Sequence, residues 1–268
     1  MTAAGPGPAA IAARWSANAD RYHRWGDLAH GHPDYRSAWA GALGRLAGHP
    51  RLDGSAPRRV VDVGTGTGEV ALVLAGLGHR VQGFDLSPGM LAYARSKTVP
   101  PGDTVAFGPG DAYRLPLPDA CADVVVNRMV FWTLHDPERA LLEWRRVLAP
   151  GGRIVVVDGL HFTPAGGTPQ RAAALRSRLF WAAEARLAAL RGHRAESSGD
   201  YHADDVQPPG LRWRSAEDAR AHFTAAGLTG TTLTWLDAVD EAQRRTAPPR
   251  WRLAGLLPRF FALTWEAP

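Results

Sequence analysis

The stretch Val60-Val61-Asp62-Val63-Gly64-Thr65-Gly66-Thr67-Gly68 carries the most chemical information in the chain. An apolar run meets three glycines at alternate positions, the pattern of a strand that turns sharply into a helix. Glycine lets the backbone approach a ligand without a Cβ clash and permits positive φ. The helix that follows opens on N–H groups with no partner inside it. Such a turn cradles a nucleotide-like ligand, and by itself it suits a dinucleotide equally well. Asp85 stands 21 residues after Gly64, at the end of the next apolar run. A carboxylate there can accept hydrogen bonds from both hydroxyls of an adenosine ribose. Gly110-Asp111-Ala112 follows a third apolar run, where an acid can receive an adenine amino group. Leu148-Ala149-Pro150-Gly151-Gly152 reads as a tight turn before another strand.

Other residues could act on a substrate. Ligands of open α/β sheets bind beyond the carboxyl ends of the strands. His161 follows the fifth expected strand, so it is a candidate base or simply a loop histidine. His135 precedes Asp136-Pro137, an expected helix start with Asp136 as N-cap, and can still point toward the site. Trp132 is either a core side chain or an aromatic wall against a cation or a substrate ring. Tyr22 and Trp25 face the same choice. His30, His32 and Asp34 lack a nearby third histidine and read as a surface turn, so no metal is expected. His202, Asp204 and Asp205 read as a solvated loop. Arg176 and Arg186 would snorkel or, if they face a cleft, favour an acidic or carbonyl-bearing substrate. Cys121 is the only cysteine. It excludes an intramolecular disulfide and a cysteine-based zinc cluster, fits a reducing compartment, and reads as packing.

These groups need a scaffold. Strands are expected at 59–63, 81–84, 105–107, 123–127 and 153–157, with helices at 69–77, 88–97 and 137–148 between them. This β-α alternation implies a parallel sheet with helices on both faces. Residues 11–47 read as helices broken at His30-Gly31-His32-Pro33-Asp34, where Pro33 opens the second. Residues 48–58 form a Gly/Pro-rich linker. After Asp158 the rhythm changes. A long helix is expected over 170–191, then a polar loop to about residue 209, a helix over 215–226 capped by Ser215, and strands at 231–236 and 260–265. The division is a flexible tail over 1–10, an N-terminal helical lid over 11–57, and a main domain over 58–268 with a helical lid insertion at about 159–214.

The chain has 268 residues, 45% of them hydrophobic, enough for one large α/β domain. The net charge of +5 comes almost wholly from arginine, because Lys97 is the only lysine. The arginines are spread without a dense run, which disfavours a nucleic-acid partner. No stretch approaches the roughly 18 consecutive apolar residues of a membrane span. Residues 1–10 lack the basic start and apolar run of a signal peptide, so a cytoplasmic protein with no membrane partner is expected.

Taken together, Asp62-Val63-Gly64-Thr65-Gly66-Thr67-Gly68, Asp85 within residues 83–91, Gly110-Asp111-Ala112 and Leu148-Ala149-Pro150-Gly151-Gly152 resemble the class I S-adenosylmethionine-dependent methyltransferases. The similarity is to the broad group that includes the ubiquinone/menaquinone C-methyltransferases (methyltransferase type 11), and it covers about residues 58–158. The resemblance implies a Rossmann-like seven-stranded, mostly parallel sheet. It implies that Gly64, Thr65, Gly66 and Gly68 wrap the methionine portion of the cofactor and that Asp85 holds the ribose hydroxyls. Leu86 and Met90 would pack near adenine, Asp111 would take its amino group and Ala112 would add a backbone contact. Asn127 and Arg128 would lie beside the methionine moiety and the methyl group, and Tyr22 would cover the cofactor. Trp132, His135 and His161 are the candidates for catalysis, with Trp132 facing the sulfonium or substrate. The turn reads GxGxG rather than GxGxxG, which with Asp111 ranks a nicotinamide cofactor and an oxidoreductase below S-adenosylmethionine. A protein that binds the cofactor without transferring methyl is the other alternative. The expected substrate is a small molecule, a secondary metabolite by association with the arginine- and alanine-rich usage of a GC-rich genome. An O or N nucleophile is preferred over C because only a proton need leave, and a monomer or homodimer is expected.

Overall fold

The computed structural model describes residues 7–160, 186, 215–247, 252 and 257–268. Its strands are β1 (Arg59–Val63), β2 (Arg80–Asp85), β3 (Thr104–Pro109), β4 (Ala122–Arg128), β5 (Leu148–Leu160), β6 (Thr232–Trp235) and β7 (Arg259–Glu266). They form one sheet of order β3-β2-β1-β4-β5-β7-β6. The first five run parallel, and β7 is antiparallel to both β5 and β6. The helices are α1 (Pro8–His30), α2 (Pro33–Ala47), α3 (Pro50–Asp53), α4 (Glu69–Gly76), α5 (Pro88–Ser96), α6 (Pro137–Val147), α7 (Ala216–Ala225) and α8 (Asp237–Thr246). The expected Rossmann-like architecture, a mostly parallel sheet with helices on both faces, is present.

Strand residues alternate between two cores, as the period of two demands. Val61, Val63, Val125, Ile154, Val156, Phe261 and Leu263 face one core, filled by Phe131, Leu141, Trp144 and Phe223 from the α6/α7 side. Val60, Val124, Val126, Val155, Val157 and Ala262 face the other, filled by Trp39, Leu43, Leu74 and Val239 from α2, α4 and α8. Central strands are covered on both sides, which is why successive residues are apolar at Val60-Val61 in β1 and Val124-Val125-Val126 in β4.

Local signals place the helix starts. His32 caps α2 by accepting from Asp34 N–H through Nδ1, with Pro33 as the first helical residue. Asp136 caps α6 by accepting from Arg139 N–H at 3.0 Å. Ser215 and Asp218 form a reciprocal capping box on α7.

Five expectations change. The helix α1 already begins at Pro8, inside the expected tail over 1–10. The 48–58 linker contains the short helix α3. The strand β5 starts at Leu148 rather than 153, because Ala122 pairs with Leu148 and Val124 with Arg153, so residues 149–152 loop out of a longer strand. The helix α8 was not expected at all. Its buried residues are Val239, Asp240, Ala242 and Gln243, so half the inward stripe is polar and the apolar period is hidden. Finally, α2 is core rather than lid: Trp39, Ala42 and Leu43 are each 1% exposed against the sheet. The expected helix over 170–191 lies outside the described residues except Arg186, which is exposed. So do Arg176, His202, Asp204, Asp205 and most of the 159–214 insertion.

Candidate active site

Because β1 to β5 are parallel, their carboxyl ends lie along one edge of the sheet, and the candidate site is built there. Just past β1, Gly64 and Thr65 N–H both donate to the Phe84 carbonyl, at 2.8 and 2.9 Å. This seats the turn against the end of β2. Gly64, Gly66 and Gly68 all have positive φ. At Gly66 an added Cβ would meet no atom within 4 Å. That glycine therefore borders open space, where a side chain would occupy what the turn leaves for a ligand. Gly68 is the N-cap of α4 and offers no side-chain cap; Asp62 accepts from the Ala71 N–H, and the N–H groups before it have no acceptor within the helix.

Asp85 closes the other side. Its Oδ2 accepts from Gly66 N–H and its Oδ1 from Ser87 N–H, each at 2.8 Å. One bond per oxygen leaves lone pairs on both, enough for two hydroxyl donors. Burial pushes this carboxyl above its usual range, opposed by the Ser87 and Gly66 N–H groups. Leu86 is half-buried beside it, and Met90 is buried in the first turn of α5.

The rim beyond β3 holds the other acid. Asp111 Oδ1 accepts from Tyr113 N–H at 3.0 Å. The Ala112 carbonyl is taken by Trp144 Nε1 at 3.0 Å, so its N–H is the group Ala112 can present. Gly110 N–H donates to the Asp85 carbonyl, which brings Asp111 alongside Asp85. Tyr113 Oη accepts from His135 and Asp136 N–H, tying this rim to the turn after β4.

Asn127 and Arg128 are the last two residues of β4, one residue longer at this end than expected. Asn127 is fully buried; its Nδ2 donates to the Val63 carbonyl and its Oδ1 accepts from Phe131 N–H. That side chain holds β1 to the turn after β4. The Arg128 guanidinium lies over Trp39, 4.6 Å from the ring centroid. Trp132 is half-buried; its Nε1 donates to the Met129 carbonyl and its backbone N–H to Asp158 Oδ2. His135 keeps Nε2 buried with no hydrogen-bond partner. Tyr22 meets Trp15 edge-on at 5.3 Å. His161 lies outside the described residues.

Three residues escaped the sequence reading. Asp62 is buried, accepts from Thr65 Oγ1 at 2.7 Å, and has its pKa pushed up to about 7. Desolvation is the main cause, offset by the Thr65 hydroxyl and by Arg128. An acid inside a strand buried on both faces was the available signal. Ser87 caps α5 through Met90 N–H, as a serine before proline at a helix start suggests. Met129, just past β4 in the turn that borders the site, has φ 58, an unusual value for a non-glycine residue.

The comparisons agree with this geometry. Residues 61–156 match the methyltransferase domain family. A demethylmenaquinone methyltransferase of Thermus thermophilus is 47% identical over 105 residues, covering 38% of this chain and 48% of that protein. A malonyl-[acyl-carrier protein] O-methyltransferase of Methylococcus capsulatus is 39% identical over 111 residues, covering 41% of this chain and 40% of that protein. The chain thus spans about half the length, or less, of the curated relatives it matches. The phosphoethanolamine N-methyltransferase 2 of Haemonchus contortus, solved with S-adenosyl-L-methionine, shares the fold at 16% identity and a TM-score of 0.54, over 87% of this chain and 52% of that one. Residues 61–156, which hold the glycine turn and the acid at the end of β2, are thus similar to the methyltransferase domain family, within a sheet of the order given above.

Proposed function

We propose that this chain transfers a methyl group from S-adenosylmethionine to a nucleophile on a small molecule. The observation that carries the reading is the open space at Gly66 beside a carboxylate, Asp85, with acceptor capacity left on both oxygens. In this reading Gly64, Thr65, Gly66 and Gly68 border the methionine portion, with Arg128 near it. Asp85 takes the ribose hydroxyls, Leu86 and Met90 flank adenine, and Asp111 and the Ala112 N–H take its polar edge. Tyr22, carried on α1, is the cover. When bound, the cofactor supplies a methyl group already activated by its sulfonium.

The protein's task is then to orient the acceptor, exclude water and remove a proton. Orientation alone can contribute ~7–11 kcal/mol to such a reaction. His135 Nε2 and the imidazole of His161 are the proposed proton acceptors, and Trp132 the aromatic wall. Methylation at O, at N or at a ring carbon releases one proton each, which these bases would take; the first reading is an O or N acceptor, whose lone pair attacks the methyl group directly. A second reading, transfer to a ring carbon of a quinone-type acceptor, is favoured by the demethylmenaquinone methyltransferase among the relatives.

The test is formation of S-adenosylhomocysteine with a panel of phenols, amines and a reduced naphthoquinone, with the methylated atom located by mass spectrometry. Product from the phenols or amines supports the first reading, and product from the naphthoquinone alone supports the second. Cofactor binding without S-adenosylhomocysteine formation on any acceptor class would point to a protein that binds but does not transfer.

A further inference from the structure

The contacts between α1 and α5 form one line that ends on the ribose-facing acid. On α1, Ser16, Asp20 and His23 follow one another at intervals of four and three, so they share a stripe. Ser16 Oγ lies 2.8 Å from Ser87 Oγ and accepts from Gly89 N–H at 3.3 Å. Tyr93 Oη donates to Asp20 Oδ1 at 3.0 Å, and His23 stacks on the Tyr93 ring at 4.4 Å. The approach requires glycine at position 89, because a Cβ there would lie 2.9 Å from Ser16 Cα and 3.0 Å from the Ser16 carbonyl.

Ser16 thus completes the cap of a helix to which it does not belong. The first turn of α5 has N–H groups with no intrahelical acceptor. Ser87 satisfies that of Met90, and Ser16 satisfies that of Gly89. Ser87 is itself fully buried, and its own N–H holds Asp85 Oδ1. A continuous path therefore runs from α1 through Ser16 and Ser87 to Asp85, and on to Gly66 N–H.

We propose that Ser16 is a positioning residue that couples the docking of α1 to the orientation of Asp85, so that cofactor binding and the closing of α1 over the site form one event. The inference rests on the methyltransferase reading. Trp15 and Tyr22 lie about 100° around α1 from the Ser16 stripe, one residue back along it. Docking through that stripe fixes where they are presented.

The experiment is calorimetric titration with S-adenosylhomocysteine, together with amide exchange over residues 8–20, for the wild type, Ser16→Ala, Ser16→Thr and Gly89→Ala. Gly89→Ala pushes α1 away by sterics while leaving Ser87 and Asp85 intact, so the inference stays testable if Ser16→Ala folds poorly. In the wild type, the ligand should slow exchange across residues 8–20. Ser16→Ala and Gly89→Ala should bind ~3–10-fold more weakly and lose the ligand-dependent slowing of α1, with Ser16→Thr recovering both. A purely structural role would shift exchange equally with and without ligand. Wild-type affinity in both Ser16→Ala and Gly89→Ala, or ligand-independent exchange in the wild type, overturns the coupling alone. Absence of binding by the folded wild type overturns the cofactor reading and the coupling with it.

Discussion

Replacing Asp62 by asparagine should shift stability progressively in favour of the variant as pH rises. The carboxyl is 1% exposed, and burial is the main cause of its high pKa. A rise from the ordinary 3.8 to about 7 makes the ionised form ~4 kcal/mol less favourable inside the fold than in water. Between those two values the folded chain keeps a proton that the unfolded chain has released. Asp62 therefore contributes most below pH ~4, and its contribution falls as pH rises to about 7. Some ~2–3 kcal/mol of that loss falls between pH 5 and 8. An amide at this position carries no charge and keeps one acceptor oxygen for the two donors, Thr65 Oγ1 and Ala71 N–H, a cost that is the same at every pH. Melting temperatures of wild type and Asp62→Asn should thus diverge by a further ~5–10 °C on going from pH 5 to pH 8. The assay is thermal unfolding by circular dichroism across that range. Titrating groups not coupled to Asp62 are common to both proteins and cancel in the difference; Asp85 and Arg128, which act on Asp62, add a smaller contribution. A gap that stays the same from pH 5 to pH 8 would refute the assignment of a buried, hard-to-ionise acid to this strand.

Other outcomes follow from the same geometry. Asp85→Ala should remain folded and lose at least ~100-fold in S-adenosylhomocysteine affinity by titration calorimetry, since two charge-assisted hydrogen bonds of ~1.5–3 kcal/mol each are removed; a loss under threefold would reject the ribose contact. His79 is buried, with Nε2 within 2.9 Å of the Gly48 carbonyl and Nδ1 accepting from Arg58 N–H. Desolvation lowers its pKa, so its contribution is complete above pH ~6.5 and is lost as pH falls through the lower folded value. A His79→Gln variant should flatten the acid limb of the melting-temperature profile, and an unchanged limb would count against this. Trp144 is fully buried and holds the Ala112 carbonyl. Trp144→Ala should cost ~3–5 kcal/mol in denaturant unfolding and also weaken cofactor binding, and retention of wild-type affinity would separate that contact from the site.

The amino-acid sequence determined what depends on neighbours along the chain. The glycine spacing after β1, the acids at the ends of β2 and β3, and the caps at Asp136 and Ser215 are all signals written within about one helical turn or one strand. From them the strand and helix order of residues 59–147 can be read with small shifts at the ends. Tertiary structure alone decided what depends on partners far away in the chain. It made α2 a core helix through Trp39, and buried Asp62 so deeply that its charge is disfavoured. It turned Asn127 inward to bridge Val63 and Phe131, and gave α8 a polar inner face matched by Asp240 to Phe260 N–H. It also set Ser16 against Ser87, 71 residues away. A side chain's type limits which bonds it can make, but its partner depends on which surfaces the packed sheet brings together. That is why the glycine turn and the acids of the candidate site can be read from the sequence, and the groups that position them cannot.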